Sequence, residues 1–254
     1  LRRPDGRPKS ALNYGNNLYY AFSFHIFRYN NKQKVFYLSM TFSSFKKQIV
    51  KIAKLDLPGE ASHHKMSPID RLKELTEHSR KKNTANKAAV MALFYPNDAD
   101  ETYLVLILRK TYKGVHSAQV GFPGGKAEPF DASAQQTALR ETEEEIGVSQ
   151  QDITVLKKAT EIYIPPSNFF VQPFIGICNK TPNFIAQEEE VEAIIEVALS
   201  HFMDDGICIT RTLTTSYATD IEVPAYLLNG HVVWGATAMM LSEVRELLKQ
   251  VINH

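Results

Sequence analysis

Four glutamates crowd one short stretch of the sequence, Glu141, Glu143, Glu144 and Glu145, directly after Arg140 in "ALRETEEEIGV". Asp131 and Ser133 can cap a helix running through "ASAQQTALRETEEEIG", and Gly147 can end it, so these acids belong on a helix. At about 100° per residue, with Glu141 as zero, Glu145 falls at about 40°, Glu144 at about 300° and Glu143 at about 200°. Glu141, Glu144 and Glu145 therefore share a face and Glu143 points away, while Leu139 and Ile146 form a separate apolar stripe. Like charges at this spacing destabilise a helix, and neighbouring carboxylates raise one another's pKa. A positive group is expected among them. Arg140 can neutralise Glu144, four residues on, but it cannot serve three acids. A hard divalent cation can, because Mg²⁺ or Mn²⁺ takes oxygen ligands from a few carboxylates and from substrate phosphates. A solvated acidic face explains such a run taken alone; the preceding "GFPGGKAE" changes the balance. There Pro123 precedes Gly124 and Gly125, so the backbone can turn tightly and come close to a neighbour or ligand.

The elements that must hold this loop and helix are read from periodicity. "TFSSFKKQIVKIAKLDL" places Phe42, Phe45, Ile49 and Ile52 at helical spacing, with a serine available as cap, and it stops at Pro58-Gly59. "PIDRLKELTEHSRKKN" reads as a second helix ending in the basic cluster 80–82, a charge complement to the helix dipole. "AAVMALFYP" and "TYLVLILRK" are two strands parted by the turn-like "NDADE". Further strands are expected in "ITVLKKATEIYI", "FFVQPFIGIC", "TRTLTTSYA" and "VPAYLL". "EEVEAIIEVALSHFM" and "GATAMMLSEVRELLKQVI" are predicted helices. Strands interleaved with a few helices predict one mixed α/β (α+β) domain over 40–254.

The first 39 residues differ from the rest. They carry seven Lys or Arg against one acid, Asp5, whereas the remainder holds 22 basic and 27 acidic residues. His25, Arg28 and "YNNKQK" interrupt any apolar core of a signal peptide. Residues 1–39 are read either as an aromatic, basic extension packed on the main domain or as sequence upstream of a start at Met40. The formal charge of +1 argues against a nucleic-acid partner, and no apolar run approaches the roughly 18 residues of a membrane span. A cytoplasmic location follows as the expectation, with no membrane partner. Cys178 and Cys208 lie far apart without metal-ligand spacing and are read as buried thiols. Trp234 is assigned to core packing.

The loop and helix together resemble the Nudix box, the loop-helix-loop of the Nudix hydrolases. Gly125 opens it, "RETEEEIGV" closes it, and an apolar residue, Val148, follows Gly147. The usual box puts an acid six residues after the glycine and the arginine eight after that. Asp131 takes the acid position, but Arg140 comes one residue late, a lengthening that resembles the coenzyme A diphosphatase branch. "LRKTYKGVHSAQVGFPGG" is similar to that branch's upstream run: Arg109, His116, Gln119, Phe122, Pro123, Gly124 and Gly125 match, whereas Ala118 and Gly121 stand where Gly and Ser are usual. "LPGEASHHKMSPIDR", "PPSNFFVQPFIGI", "EEEVEAIIEVALSHFMD" and "VVWGATAMML" also look like segments of the branch.

The resemblance implies the Nudix fold, an α/β/α sandwich, and metal-dependent cleavage of a nucleoside diphosphate linked to another group. It assigns the metal, Mg²⁺ or Mn²⁺, to Glu141, Glu144 and Glu145, and a general base to Glu144 or Glu190. Arg140 would orient carboxylates, with Asp131 or Glu128 receiving it. If the substrate is coenzyme A, its 3′-phosphate needs a cation, and Arg109, Lys110, Lys113 and Lys126 are near the loop. His116, Gln119, Phe122, Gly124 and Gly125 complete the expected substrate contacts, His116 either touching substrate or holding the loop. Rival readings are another small-molecule substrate, such as ADP-ribose or a dinucleotide, and a ligand-binding Nudix domain without activity. A homodimer is left open.

Overall fold

The central strand of the sheet is β1, Asn86–Pro96, whose two edges are occupied differently. The computed structural model describes residues 40–67, 85–110, 119–213 and 220–252. Along one edge β7, Phe169–Cys178, runs parallel to β1 from Asn86↔Phe169 to Phe94↔Ile177. The other edge is shared. β2, Thr102–Arg109, pairs antiparallel with Phe94 to Pro96, and β4, Gly124–Lys126, takes over at Ala88 to Val90. The strands part where the glycine loop enters. β3, Val120–Gly121, and β8, Val191–Ala198, extend the sheet from β2, while β5, Ile153–Lys158, and β6, Ile162–Ile164, pair with β7. A separate antiparallel sheet joins β9, Cys208–Leu213, β10, Ile221–Leu228, and β11, His231–Trp234.

Alternation along β1 sends its residues to two layers. Ala89, Met91, Leu93 and Tyr95 pack in one buried cluster with Ala138 and Ile146 of the helix α3, Ala134–Ile146. Phe94 faces the other way, 5.3 Å ring to ring from Phe45 of α1, Phe42–Ile49. Helices therefore cover both faces of a mixed sheet, in keeping with the expected α/β/α sandwich. α1 buries Phe42, Phe45 and Ile49, and the chain tightens into a 3₁₀ turn over Val50–Lys54 that buries Ile52. Its cap is Thr41, whose side chain accepts from Ser44 N–H, in place of a serine.

A fully buried carboxylate ties the lead-in to the last helix, α5, Gly235–Ile252. Glu243 accepts from Gly59 N–H at 3.1 Å, from Thr160 N–H at 3.0 Å and from Thr160 Oγ1 at 2.5 Å. His63, in the short helix α2, Glu60–His64, places Nε2 3.3 Å away. Burial opposes ionisation of Glu243, yet the bonds from His63 and Thr160 prevail and hold it below the usual carboxylate range.

Three expectations need correction. Residues 189–203 are not a helix: they form β8 and then a single turn, α4, Leu199–Phe202. Val191, Ile195 and Val197 are buried while Glu192 and Glu196 are exposed, so the two glutamates, four apart, fit either period. The β-branched residues and the open edge of β2 decide for the strand. Cys208 is exposed and only Cys178 is buried. Trp234 is half-buried on β11, opposite Ala225, and not in the core. The helix expected over 68–83 lies outside the described residues, as do 1–39 and 214–218. Among the described residues no helix is long and apolar enough to cross a membrane.

Removing one partner of a buried charged cluster typically costs about 3–5 kcal/mol. We expect Glu243→Ala to lower the unfolding free energy by about that amount in urea titrations; a loss below about 1 kcal/mol would mean that α5 is held by its apolar contacts alone.

Candidate active site

The site begins at two positions without side chains. Gly124 has φ +146°, and a Cβ there would lie 2.4 Å from the Ala89 carbonyl and 2.5 Å from Val90 Cα. At Gly125 a Cβ would meet Glu141 Oε2 at 2.4 Å. β4 can therefore lie flat between β1 and α3, and the carboxylates of the helix reach its backbone. Gly124 N–H donates to Glu145 Oε2 at 2.7 Å.

Helix phase is set at both ends. Ser133 caps the N-terminus by accepting from Gln136 N–H, and Gly147 closes the C-terminus in the left-handed region. Carbonyls left over in the last turn bind the incoming chain, with Ile185 N–H on Ile146 O at 3.1 Å and Gln187 N–H on Glu145 O at 3.0 Å. That docking brings Glu190 to the site. Glu145 is 1% exposed, Glu141 is mostly buried, Glu144 is 52% exposed, and Glu143 turns aside to accept from Gln150 at 2.7 Å.

Two arginines divide these acids between them. Arg140 donates through Nε and Nη2 to Asp131 at 3.0 and 2.9 Å, and through Nη2 to the Lys126 carbonyl at 3.1 Å. Its Nη1 lies 2.8 Å from both Glu141 and Glu144. The fork from Arg140 holds Asp131 well below the usual carboxylate range. Arg109, at the end of β2, lies 3.3 Å from Glu145 and 3.5 Å from Glu190, which is 49% exposed. Burial pushes Glu145 up to about 8, against the pull of Arg109 and the Gly124 N–H, and the nearby charges of Glu141 and Glu190 add to the rise. Burial also raises Glu141, and Arg140 opposes it.

A family model for the NUDIX domain matches residues 85–205. A relative named uncharacterized Nudix hydrolase NudL, from Yersinia enterocolitica serotype O:8 / biotype 1B, is 32% identical over 158 residues, covering 59% of this chain and 75% of the relative. The chain belongs to the Nudix hydrolase family. A second relative of the same name, from Yersinia pestis strain Pestoides F, is 32% identical over 154 residues, covering 59% of this chain and 73% of its own. Among solved structures, that of a Nudix hydrolase from M. smegmatis, RenU, is a distant likeness, with TM-score 0.45 and 14% identity over 66% of this chain and 88% of that one. As a Nudix hydrolase the chain is an enzyme that hydrolyses the diphosphate bond of nucleoside diphosphate derivatives, and members of the family generally use divalent metal ions.

The residues singled out by spacing come together unequally. Glu141 and Glu145 line the seam of α3 and β4, Glu144 stands at its open side, and Glu190 joins through Arg109. Glu190 does not sit at a helix N-terminus, because β8 replaces that helix. Phe122 is buried, Gln119 accepts the Arg109 N–H through its carbonyl, and Lys126 is exposed. His116 and Lys113 lie outside the described residues. The pairing of Arg109 with Glu145 was missed from sequence, and no local spacing could have shown it, since the two meet only when β2 and α3 pack on β1.

Among the described residues no three His, Cys, Asp or Glu side chains already converge as ligands of a closed metal site would. Glu141 and Glu145, one turn apart, with Glu190 within electrostatic reach of both, form a partial set of oxygen donors. Such a set fits Mg²⁺, which commonly takes one or two carboxylates and completes its shell with water and substrate phosphate.

Without metal, folded Glu145 keeps a proton that the unfolded chain releases. Its contribution to stability therefore falls as pH rises from about 4.5 to about 8. Glu145→Gln, neutral throughout, removes that fall. In metal-free buffer the Tm of the variant relative to wild type should climb between about pH 5 and about pH 8.5; a constant gap would mean that Glu145 is ionised across the range.

Proposed function

We propose that this Nudix hydrolase cleaves the diphosphate of coenzyme A or its derivatives. Water adds to one phosphorus and the bridging P–O bond breaks, releasing 4′-phosphopantetheine and adenosine 3′,5′-bisphosphate. The observation that carries the reading is the late Arg140, together with the run from Arg109 to Gly125 that resembles the coenzyme A branch. The geometry is compatible with that lengthening. Glu128 and Asp131 close a turn on each other, with Glu128 N–H on Asp131 Oδ2 at 2.9 Å and Asp131 N–H on the Glu128 carbonyl at 3.0 Å, so Asp131 still reaches Arg140.

In this reading Glu141 and Glu145, with Glu144 at the open side, hold the metal, Mg²⁺ or Mn²⁺. Bound there, the cation neutralises the diphosphate and lowers the pKa of a water. Arg140 keeps Glu141 and Glu144 in place while itself committed to Asp131. Glu144 and Glu190 are the carboxylates open enough to solvent to accept a proton from the attacking water. Gly124 and Gly125 admit β1 and the Glu141 carboxylate close to the β4 backbone, and the cations proposed for a 3′-phosphate are Lys126, exposed on β4, and Lys110, one residue past β2.

Turnover with Mg²⁺ on coenzyme A, acyl-CoA, ADP-ribose and NADH tests the reading. Coenzyme A species should be cleaved in preference to the others. Loss of a metal ligand removes several kcal/mol of charge stabilisation, so Glu145→Gln should cost about 10²–10³ in kcat. Absence of cleavage of every coenzyme A species would overturn the substrate, and a fully active Glu145→Gln would overturn the metal assignment.

A further inference from the structure

Arg109 is placed by an irregularity in its strand. β2 and β8 keep register from Tyr103↔Ala198 to Leu108↔Ala193, and then the register shifts between Leu108 and Arg109, which pairs with Val191. A shift of this kind bends the strand and re-aims the side chain beside it. The backbone at that point is held on both sides, since Arg109 N–H donates to the Gln119 carbonyl at 3.0 Å and Lys110 N–H to the Glu190 carbonyl at 2.9 Å.

The guanidinium is thus carried to a point between two acids from different elements. Its contacts are 3.3 Å to Glu145 Oε1, 3.5 Å to Glu190 Oε2 and 3.5 Å to the Gly124 carbonyl. Arg140, by contrast, makes five contacts of 2.8–3.1 Å. One arginine is locked and the other is held loosely. Arg109 also shares its main partner, Glu145, with the oxygen set that fits a metal.

We propose that Arg109 is the resident counter-cation of the metal site. It balances Glu190 and donates to Glu145 before a divalent cation binds, competes with that cation for Glu145 once the carboxyl ionises, and on displacement turns its fork to an oxygen of the substrate diphosphate. The inference rests on the assignment of metal to Glu141 and Glu145. Two cations on one buried carboxylate repel each other, so each weakens the hold of the other by the same factor. A guanidinium that loses a carboxylate finds its best replacement in a phosphate, which matches the same fork. Arg109 would then act on metal affinity as a positioning residue and on substrate as a direct contact.

Titration of the full chain with Mn²⁺ alone, followed by calorimetry, separates these effects. Arg109→Gln should bind Mn²⁺ about five- to tenfold tighter than wild type, because the competing charge is gone. Arg109→Lys, a point charge without a fork, should fall between them. With Mn²⁺ present, the hydrolysis-resistant α,β-methylene-ADP should bind wild type more tightly than Arg109→Gln, despite the tighter metal in the variant. Unchanged or weaker Mn²⁺ binding in Arg109→Gln overturns the proposal, as does equal nucleotide affinity. If Arg109→Gln does not fold, Arg109→Lys decides by the same sign. Glu145→Gln is the control: if it binds Mn²⁺ as well as wild type, the metal assignment fails and this proposal with it, whereas a large loss there with no effect at Arg109 overturns this proposal alone.

Discussion

A carboxylate pressed into the seam between a helix and a strand is the constraint on which the site depends. Glu145 is almost wholly buried, and burying a carboxylate is costly unless donors and charges meet it. Each nearby feature answers that cost or makes room for it. Positions 124 and 125 have no side chain to block the helix. The Gly124 N–H is aimed at one oxygen and Arg109 at the other. Ser133 and Gly147 fix where the helix starts and stops, so the carboxylate cannot rotate out of the seam without taking Ala138 and Ile146 out of the core. The remaining cost appears as a carboxyl group that is hard to ionise until more positive charge arrives.

The acids are arranged as two clusters with different freedom. Asp131, Glu141 and Glu144 gather on Arg140, whose five contacts engage all three guanidinium nitrogens. Glu145 and Glu190 gather on Arg109, whose longer contacts come from the end of a strand and the turn before another. The first cluster behaves as framework. The second joins parts of the chain that are far apart in sequence, and it faces the loop where phosphate is expected. A helix face that looks uniformly acidic in sequence is therefore divided in space.

Much of the architecture was legible because it rests on local patterns. The apolar spacing in α1, the caps at Ser133 and Gly147, and the run of α5 from Gly235 to Ile252 are all short-range signals. The separation of Glu143 from the other box glutamates follows from helical geometry alone, and the structure keeps it, with Gln150 receiving Glu143. Legibility fails where a partner elsewhere in the chain decides. β8 was read as a helix because Glu192 and Glu196 suit both periods, and only the edge of β2 resolves them. Cys208 is exposed because β9 lies at the margin of the small sheet, a position that no neighbour in sequence announces. The pairing of Arg109 with Glu145 was hidden for the same reason.

The parallel pairing of β1 with β7 has a consequence for how the enzyme comes into being. The two strands meet across the whole stretch 86–177, and α3 with all its carboxylates lies inside the loop that this pairing closes. Closing so long a loop is slow and entropically costly, and the contacts that repay it come only afterwards. β1, β4 and the helix all lie on the N-terminal side of β7, and β1 pairs with β4 within 88–126, so the seam around Glu145 uses contacts closer in sequence than the pairing that encloses it. During biosynthesis β1, β4 and the acidic helix all emerge before β7, so the chain that forms the seam is already outside the ribosome when the long-range parallel pairing becomes possible.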